Sequence, residues 1–421
     1  MEYDIVIIGA SFAGLTLAHH LPKTYKVLII DQKRKIDAGV ESTGLITEAT
    51  YQLLKKFTDI ERFTPNKITT ISVVSPDYGK YFFSHTKEPW IYSTDTPRLV
   101  AHITETLPDN INVRLDSLFK SAHIKKGENY PVKIKYSEKG EAKEISAKFL
   151  VGADGAHSDV AKNNPNLSVN KKFLAGLEKV FHGNINFGEH SENTVYHFWF
   201  GEFSLGYGGW LSPTVIDGKK AFRVGLAKLE KGIKKLNKLD NFIEILKEKG
   251  IIEIVEHAKS IYTFGSLIPI NGVLKNVHDN YTLLLGDAAG LCGAFAADGI
   301  KGAVVSGKVA AKLIPEYLEG DKKILKKYKS EINKYQKLMR YYRKQRFYRW
   351  IWDRMKRDRT FHGMYDLIEN EKDHFLDQFC DSKDNAKSLS RTILTWKNLP
   401  KLIKYAVLIL VDMVFPKKTR N

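Results

Sequence analysis

Apolar positions dominate from Tyr3 to Ile8, broken only by Asp4, stop at a glycine turn, continue with helical spacing from Ala13 to Leu21, and return in the stretch from Lys26 to Ile30. Short apolar runs suit strands covered on both faces, so the opening predicts a βαβ unit at the start of a parallel sheet. Helices are predicted over 47–57 and over 97–107, the second with Pro97 in its first turn, where a missing N–H is tolerated. Residues 68–83 read as two strands joined by Asp77-Tyr78-Gly79, and 112–147 alternate as a small antiparallel meander ending in a further buried strand at 149–152. From about 172 to 268 strands dominate, aromatic-rich at 195–200 and 204–211 and interrupted by a helix over 239–249. A buried strand returns at 281–285, a helix rich in Ala, Val and Gly follows over 300–314, and the remaining hundred residues read as helical, without a repeat.

Length and composition add little to this picture: 421 residues, 43% hydrophobic, are enough for two or three domains with a large core. Charge adds more. Of the formal +18, a surplus of 14 lies between Asp321 and Asn421, where 26 Lys and Arg face 12 Asp and Glu, so the last quarter is a basic module. Cys292 and Cys380 stand far apart and in no CxxC or Cys/His spacing, which predicts reduced thiols and neither a disulfide framework nor a metal site. The first residues lack a basic stretch followed by a long apolar one, which predicts a cytoplasmic start.

Three segments carry chemistry. Gly9-Ala10-Ser11-Phe12-Ala13-Gly14 falls between the first strand and the first helix. There Gly9 permits a tight turn, Gly14 lets helix approach sheet, and the helix N-terminus offers N–H groups to a pyrophosphate. Ser11 stands where a second glycine is usual. Asp31, followed by Gln32, ends the second strand, where a carboxylate accepts from both ribose hydroxyls. Gly152-Ala153-Asp154-Gly155 leaves a buried strand for a helix start. Gly286-Asp287-Ala288-Ala289-Gly290 repeats the device, followed by Asp298-Gly299-Ile300 at the mouth of the small-residue helix. Carboxylates at strand ends meet ribityl or ribose hydroxyls, and the helix start can face the pyrimidine edge of a flavin, where negative charge develops on reduction. The three together predict FAD as cofactor.

In this order the motifs resemble the flavoprotein family of p-hydroxybenzoate hydroxylase, and within it the geranylgeranyl reductases, over residues 1–310. The resemblance implies an α/β fold, α+β overall: a discontinuous Rossmann-like FAD-binding domain (1–68, 96–165, 270–320), an interleaved antiparallel-sheet substrate domain (69–95, 166–269), and a basic helical C-terminal region (321–421). It also implies that Thr43, Gly44 and Arg98 lie close to the flavin, although the loop lacks the family's cysteine. Ala294 replaces its usual proline, and Ala297 stands where glycine is often found.

That likeness implies reduction of C=C bonds in a geranylgeranyl lipid, an enzyme of phospholipid biosynthesis, with FAD-dependent hydroxylation or epoxidation of an apolar or aromatic substrate as the alternative. Phe198, Trp199, Tyr207 and Trp210 would wall the prenyl site, or would simply pack the face of a sheet. His182, His197, Glu202 and Tyr207 are the nearby groups able to donate a proton, and none is singled out as catalytic. Without a second Gly-rich βαβ unit, electrons must come transiently from NAD(P)H, a ferredoxin or another reduced carrier. The tail mixes cations with Tyr341, Tyr342, Phe347, Tyr348, Trp350 and Trp352. Its apolar run 405–411 ends at Asp412 and is shorter than the about 20 residues a membrane span needs. Flanked by Lys401, Lys404, Lys417 and Lys418, the run predicts either an interfacial helix on anionic lipid or a helix closing the core. No nucleic-acid module is recognised, and no nucleic-acid partner is expected.

Overall fold

The computed structural model describes residues 1–38, 42–198, 201, 203, 206–229, 237–255, 259–355, 357–370, 372 and 395–414. In chain order the strands are β1 (Glu2–Ile8), β2 (Val27–Ile30), β3 (Leu45–Thr47), β4 (Asn66–Ile68), β5 (Thr70–Val74), β6 (Tyr81–His85), β7 (Ile91–Ser93), β8 (Ile111–Arg114) and β9 (Ser117–Ile124). There follow β10 (Val132–Glu138), β11 (Glu141–Gly152), β12 (Phe173–Ile185), β13 (Thr194–Phe198), β14 (Gly206–Ile216), β15 (Lys219–Leu229), β16 (Ile252–Ile254), β17 (Tyr262–Pro269) and β18 (Thr282–Leu284). The α-helices are α1 (Phe12–His20), α2 (Glu48–Leu54), α3 (Thr96–Glu105), α4 (Asp159–Asn163), α5 (Asn237–Glu248), α6 (Gly299–Leu318), α7 (Tyr328–Lys334), α8 (Leu338–Trp352), α9 (Asp358–Glu369) and α10 (Leu399–Val414).

The predicted βαβ opening is present. β1 runs parallel to β2 and to the end of β11, β2 runs parallel to β8, and β11 parallel to β18. The strands β1 and β2 are almost entirely buried, as two covered faces require. Two expectations are corrected. Residues 111–114 belong not to the meander but to the parallel edge, because β8 pairs with β2. The buried run 149–152 is not a separate strand either: β11 is one strand whose first part closes the β9-β10-β11 meander and whose last residues join the parallel sheet. A single chain segment therefore serves two kinds of ladder, exposed and charged where it closes the meander and buried where it joins the parallel sheet.

The second sheet has the order β16-β12-β15-β14-β13-β5-β6, with β17 also on β12, and is antiparallel except for β5 beside β13. Alternation assigns its faces. Phe181, Tyr196, Phe198, Leu211, Phe222 and Val224 form a core under α5 with Phe242 and Leu246. Arg223, Gly225, Trp210, His197 and Glu178 alternate with these and so belong to the opposite face. Strand β7 pairs with β3 and β4 in a small third sheet between the two larger ones.

Among the described residues after α6 the chain is mostly helical, but its aromatics divide. Tyr342 and Trp352 are buried, while Phe347 and Trp350 are exposed, the Trp350 ring beneath the Arg354 guanidinium at 3.7 Å. Helix α10 divides likewise. Tyr405 and Asp412 face inward, and Asp412 is held by Arg357 at 3.4 Å, by Arg359 and by the Thr360 hydroxyl. The acidic residue that ends the apolar run is thus an internal anchor. One face of this helix therefore packs on the core, and the other, with Leu399, Ile403, Val407 and Leu410, is exposed. Lys417, Lys418 and Cys380 lie outside the described residues, and among those described no helix is long and apolar enough to cross a membrane.

Phe242 bridges α5 to the sheet, with its ring 5.0 Å from that of Phe198 in edge geometry. Phe242→Ala is expected to cost about 3–5 kcal/mol. Because this core lies on the far face of the sheet, flavin content at low temperature should stay unchanged while the thermal midpoint falls; calorimetry beside visible absorbance checks both.

A cleft between the parallel sheet and the mixed sheet

A cleft of about 690 Å³ runs from the first βα turn to the inner face of the second sheet, within the size range of cofactor and ligand sites. At one end Gly9 turns with φ of +111°, and a Cβ there would stand 2.2 Å from the carbonyl oxygen of Ala153, so only glycine fits. Ser11 is the N-cap of α1 but forms no side-chain cap, so the free N–H groups of the first turn are not taken. Asp31 accepts from the Ala10 N–H at 2.6 Å and the Lys33 N–H at 2.8 Å, while Lys33 Nζ donates to the Ala10 carbonyl at 2.9 Å. The first two parallel strands are thereby tied at their C-terminal ends. The tie uses the Asp31 carboxylate that sequence reasoning assigned to a ribose.

Three more carboxylates converge on the cleft. Asp154 accepts from the Val160 N–H at 3.0 Å through Oδ2, and its other oxygen is buried without a partner. Burial pushes Asp154 up from its usual range. Asp287, half-buried in the cleft wall, is pushed up to about 7 by loss of water around it and by the neighbouring Asp298 carboxylate. Asp298 caps α6, accepts from the Tyr341 hydroxyl at 2.8 Å, and keeps Oδ1 buried and unpartnered. Its proton affinity is raised by the same burial. Buried oxygens without partners are uncommon and call for donors. A hydroxyl-rich ligand lying across them, with its phosphates at α1 and a ring at the 20-residue α6, satisfies those needs. The residues present therefore fit FAD.

Of the sequence-assigned residues, Gly9, Ser11, Phe12, Ala13, Asp31, Gln32, Thr43, Asp154, Gly155, Gly286, Asp287, Asp298, Gly299, Ile300 and Trp210 line the cleft. Gly14 does not; it packs behind the turn against Gly9 and Ile7. Gly44 is buried against Thr94 and Thr96, and Gly290 closes the short turn after Asp287 with φ of +70°. Arg98 is a correction: it sits on the exposed side of α3, 3.8 Å from Asp95, because Asp95 caps that helix and draws it outward. Phe198 is another. Strand alternation puts it in the core under α5, away from the cleft. Trp199 and Glu202 lie outside the described residues, as does the side chain of Tyr207. His197 lines the cleft, but burial pushes it down to about 4, so it is neutral at pH 7, and His182 is not in the lining.

Sequence reasoning missed several lining residues. Glu178 is one, a lone acid within a strand, and Lys33 another. Tyr341, Gln345 and Tyr348 come from α8, whose return to the cleft no spacing foretells. Gln345 accepts from the N–H groups of Phe295 and Ala296 at 3.2 and 2.7 Å, and Tyr342 donates to the Leu291 carbonyl at 3.1 Å. Helix α8 thereby fixes the loop leading into α6. In that loop Ala297 takes φ of +58°, a left-handed conformation costing an L-residue about 1–2 kcal/mol.

Known proteins resemble the chain along most of its length. Digeranylgeranylglycerophospholipid reductase 3 of Methanosphaera stadtmanae is 26% identical, covering 96% of this chain and 95% of its own. Digeranylgeranylglycerophospholipid reductase of Methanococcus aeolicus is 24% identical, covering 96% and 97%. A geranylgeranyl bacteriochlorophyll reductase-like crystal structure from Thermoplasma acidophilum shares the fold, with a TM-score of 0.73 at 17% identity and coverage of 98% of each chain. A probable FAD-dependent monooxygenase from Pseudomonas aeruginosa shares it too, with a TM-score of 0.62 at 15% identity, covering 87% of this chain and all of that one.

Gly9→Ala is expected to abolish retention of the cofactor while leaving most secondary structure in place, read as the flavin-to-protein absorbance ratio beside circular dichroism. A ratio equal to that of the unaltered protein would overturn the placement of the phosphates at this turn. The cofactor at stake is FAD, because residues 2–340 match the FAD binding domain family, and the chain belongs to that family as an FAD-dependent oxidoreductase.

Proposed function

We propose that the protein hydrogenates C=C bonds of a polyprenyl lipid of the geranylgeranyl glycerophospholipid class. One observation carries the reading: a single cleft joins the dinucleotide loops to an apolar wall that includes Ile71, Trp90, Val195, Phe264, Ile268 and Phe295. Such a wall takes an isoprenoid chain and excludes water, and the relatives named digeranylgeranylglycerophospholipid reductases match almost end to end. When bound, FAD in its reduced form supplies hydride. The protein's own residues do the rest: the N-terminus of α1 holds the phosphates, Asp31 meets a ribose, Asp154, Asp287 and Asp298 meet the hydroxyl-rich middle, and Trp210 with the apolar wall orients the chain. An electron donor from outside the fold, a nicotinamide, a ferredoxin or another reduced carrier, completes the cycle.

The same reading places the protein at a membrane surface from the cytoplasmic side. On α10 the exposed residues Leu399, Ile403, Val407, Leu410 and Val414 follow helical spacing, with Trp396 90% exposed just before them and exposed Lys401 and Lys404 beside them. An apolar row rimmed by cations suits an interfacial helix on anionic lipid.

Two outcomes are expected. Protein reduced anaerobically with dithionite should be reoxidised by a geranylgeranyl glycerophospholipid, the product gaining two mass units per double bond. A flavin that stays reduced until oxygen is admitted, with one oxygen atom gained, establishes a monooxygenase instead. Ile403→Asp combined with Leu410→Asp should weaken binding to vesicles containing anionic lipid by about 100-fold or more, since each apolar side chain withdrawn from the surface forfeits roughly 1.5–3 kcal/mol. Unchanged cosedimentation would remove α10 from the interface.

A further inference from the structure

Hydrogenating an isolated C=C bond takes a proton as well as a hydride, and the two histidines that the sequence suggested for it are poorly placed. His197 is neutral and His182 lies off the cleft. The inner face of the second sheet holds another acid. Glu178 on β12 is 1% exposed yet lines the cleft. It stands in one cross-strand row with Gly225 on β15 and Trp210 on β14. A Cβ at Gly225 would fall 2.1 Å from the Trp210 ring, so the bare glycine is what lets the indole lie across β15 and reach the next strand but one. There Trp210 Nε1 donates to Glu178 Oε2 at 2.6 Å. The other oxygen, Oε1, has no hydrogen-bond partner; Arg223 Nε is 4.0 Å away, too far for one, and the guanidinium is spent on the carbonyls of Thr43 and Thr94.

We propose that Glu178 is the proton donor of the reduction: Oε1–H protonates one carbon of the C=C bond, and the neighbouring carbon accepts the hydride. The assignment rests on the reductase reading above. In the balance, the π bond breaks, two C–H bonds form, and the electron pair arrives with the hydride from the reduced cofactor, which is oxidised by two electrons. Glu178 is left as a carboxylate facing Arg223 and takes its next proton from water admitted when product leaves. The environment supports each state in turn. Burial pushes Glu178 up to about 7 against the pull of the Arg223 charge and the Trp210 hydrogen bond, so a large fraction carries its proton at neutral pH. The same two neighbours hold the carboxylate once the proton has gone.

The test uses the FAD-loaded protein in anaerobic single turnover with geranylgeranyl glycerophospholipid across pH, and infrared difference spectra of the protein without lipid. Glu178→Gln should keep its FAD and slow lipid-dependent reoxidation by about 100-fold or more, with loss of the rate decline near pH 7. Trp210→Phe, which removes a donor that favours the carboxylate, should move that decline to higher pH. In the lipid-free spectra protonated-carboxyl intensity should bleach as pH rises through about 7, and the Gln variant should lack the share of Glu178 while keeping that of Asp287. A Gln variant turning over within a few-fold of the unaltered protein, or the same titrating intensity in both proteins, overturns the assignment alone. If the unaltered protein is not reoxidised by the lipid, the reductase reading falls and the assignment with it.

Discussion

A guanidinium taken out of water has to be answered by acceptors from whatever surrounds it, and the architecture depends on how Arg223 is answered. It is 5% exposed on the inner face of the second sheet. Its donors go to the backbone carbonyls of Thr43, in the loop before β3, and Thr94, at the corner between β7 and α3, with Glu178 alongside in its own sheet. Those two carbonyls belong to segments next to the third small sheet, and Ser93 adds a hydroxyl bond at 3.3 Å to Pro213 on β14. Removing one partner of such a buried charge strands the other, which makes the joint costly to open. The loop beside the cleft and the sheet that forms its far wall are held in one frame by the Arg223 guanidinium, with the Ser93 hydroxyl beside it.

The cofactor end of the cleft was legible because its demands are local. A turn that only Gly9 can make, a carboxylate at the end of β2, and small residues before α6 each announce themselves within a few positions. The substrate end was less legible because it depends on which face of a strand looks inward. Phe198 and Trp210 looked equivalent as aromatics, yet the pairing register sends Phe198 under α5 and Trp210 into the cleft. Glu178 gave no signal at all, since one acid in a strand usually lies in water; its burial follows only from strands far apart in sequence. Arg98 misled for the converse reason, its surroundings being set by its own helix cap at Asp95.

The basic C-terminal region has two duties that net charge alone does not separate. Its first helices are structural: Tyr328 donates to the Leu284 carbonyl at 3.2 Å, and the inward residues of α8 fix the loop that ends at Asp298. The cofactor site is thus completed by residues outside the motifs that define it. Lysines and arginines on the outer side of the same helices lie in water, where they add field rather than fold stability.

The ion pairs at Asp412 bear on how the molecule can be oriented. With that carboxylate fixed inward by two arginines, α10 cannot roll about its long axis without stranding a buried charge. The outward apolar row therefore has one azimuth relative to the rest of the chain. A flat surface that engages the row meets the molecule in a single pose, so the tilt at which the cleft stands over that surface is set by an internal carboxylate that never touches it.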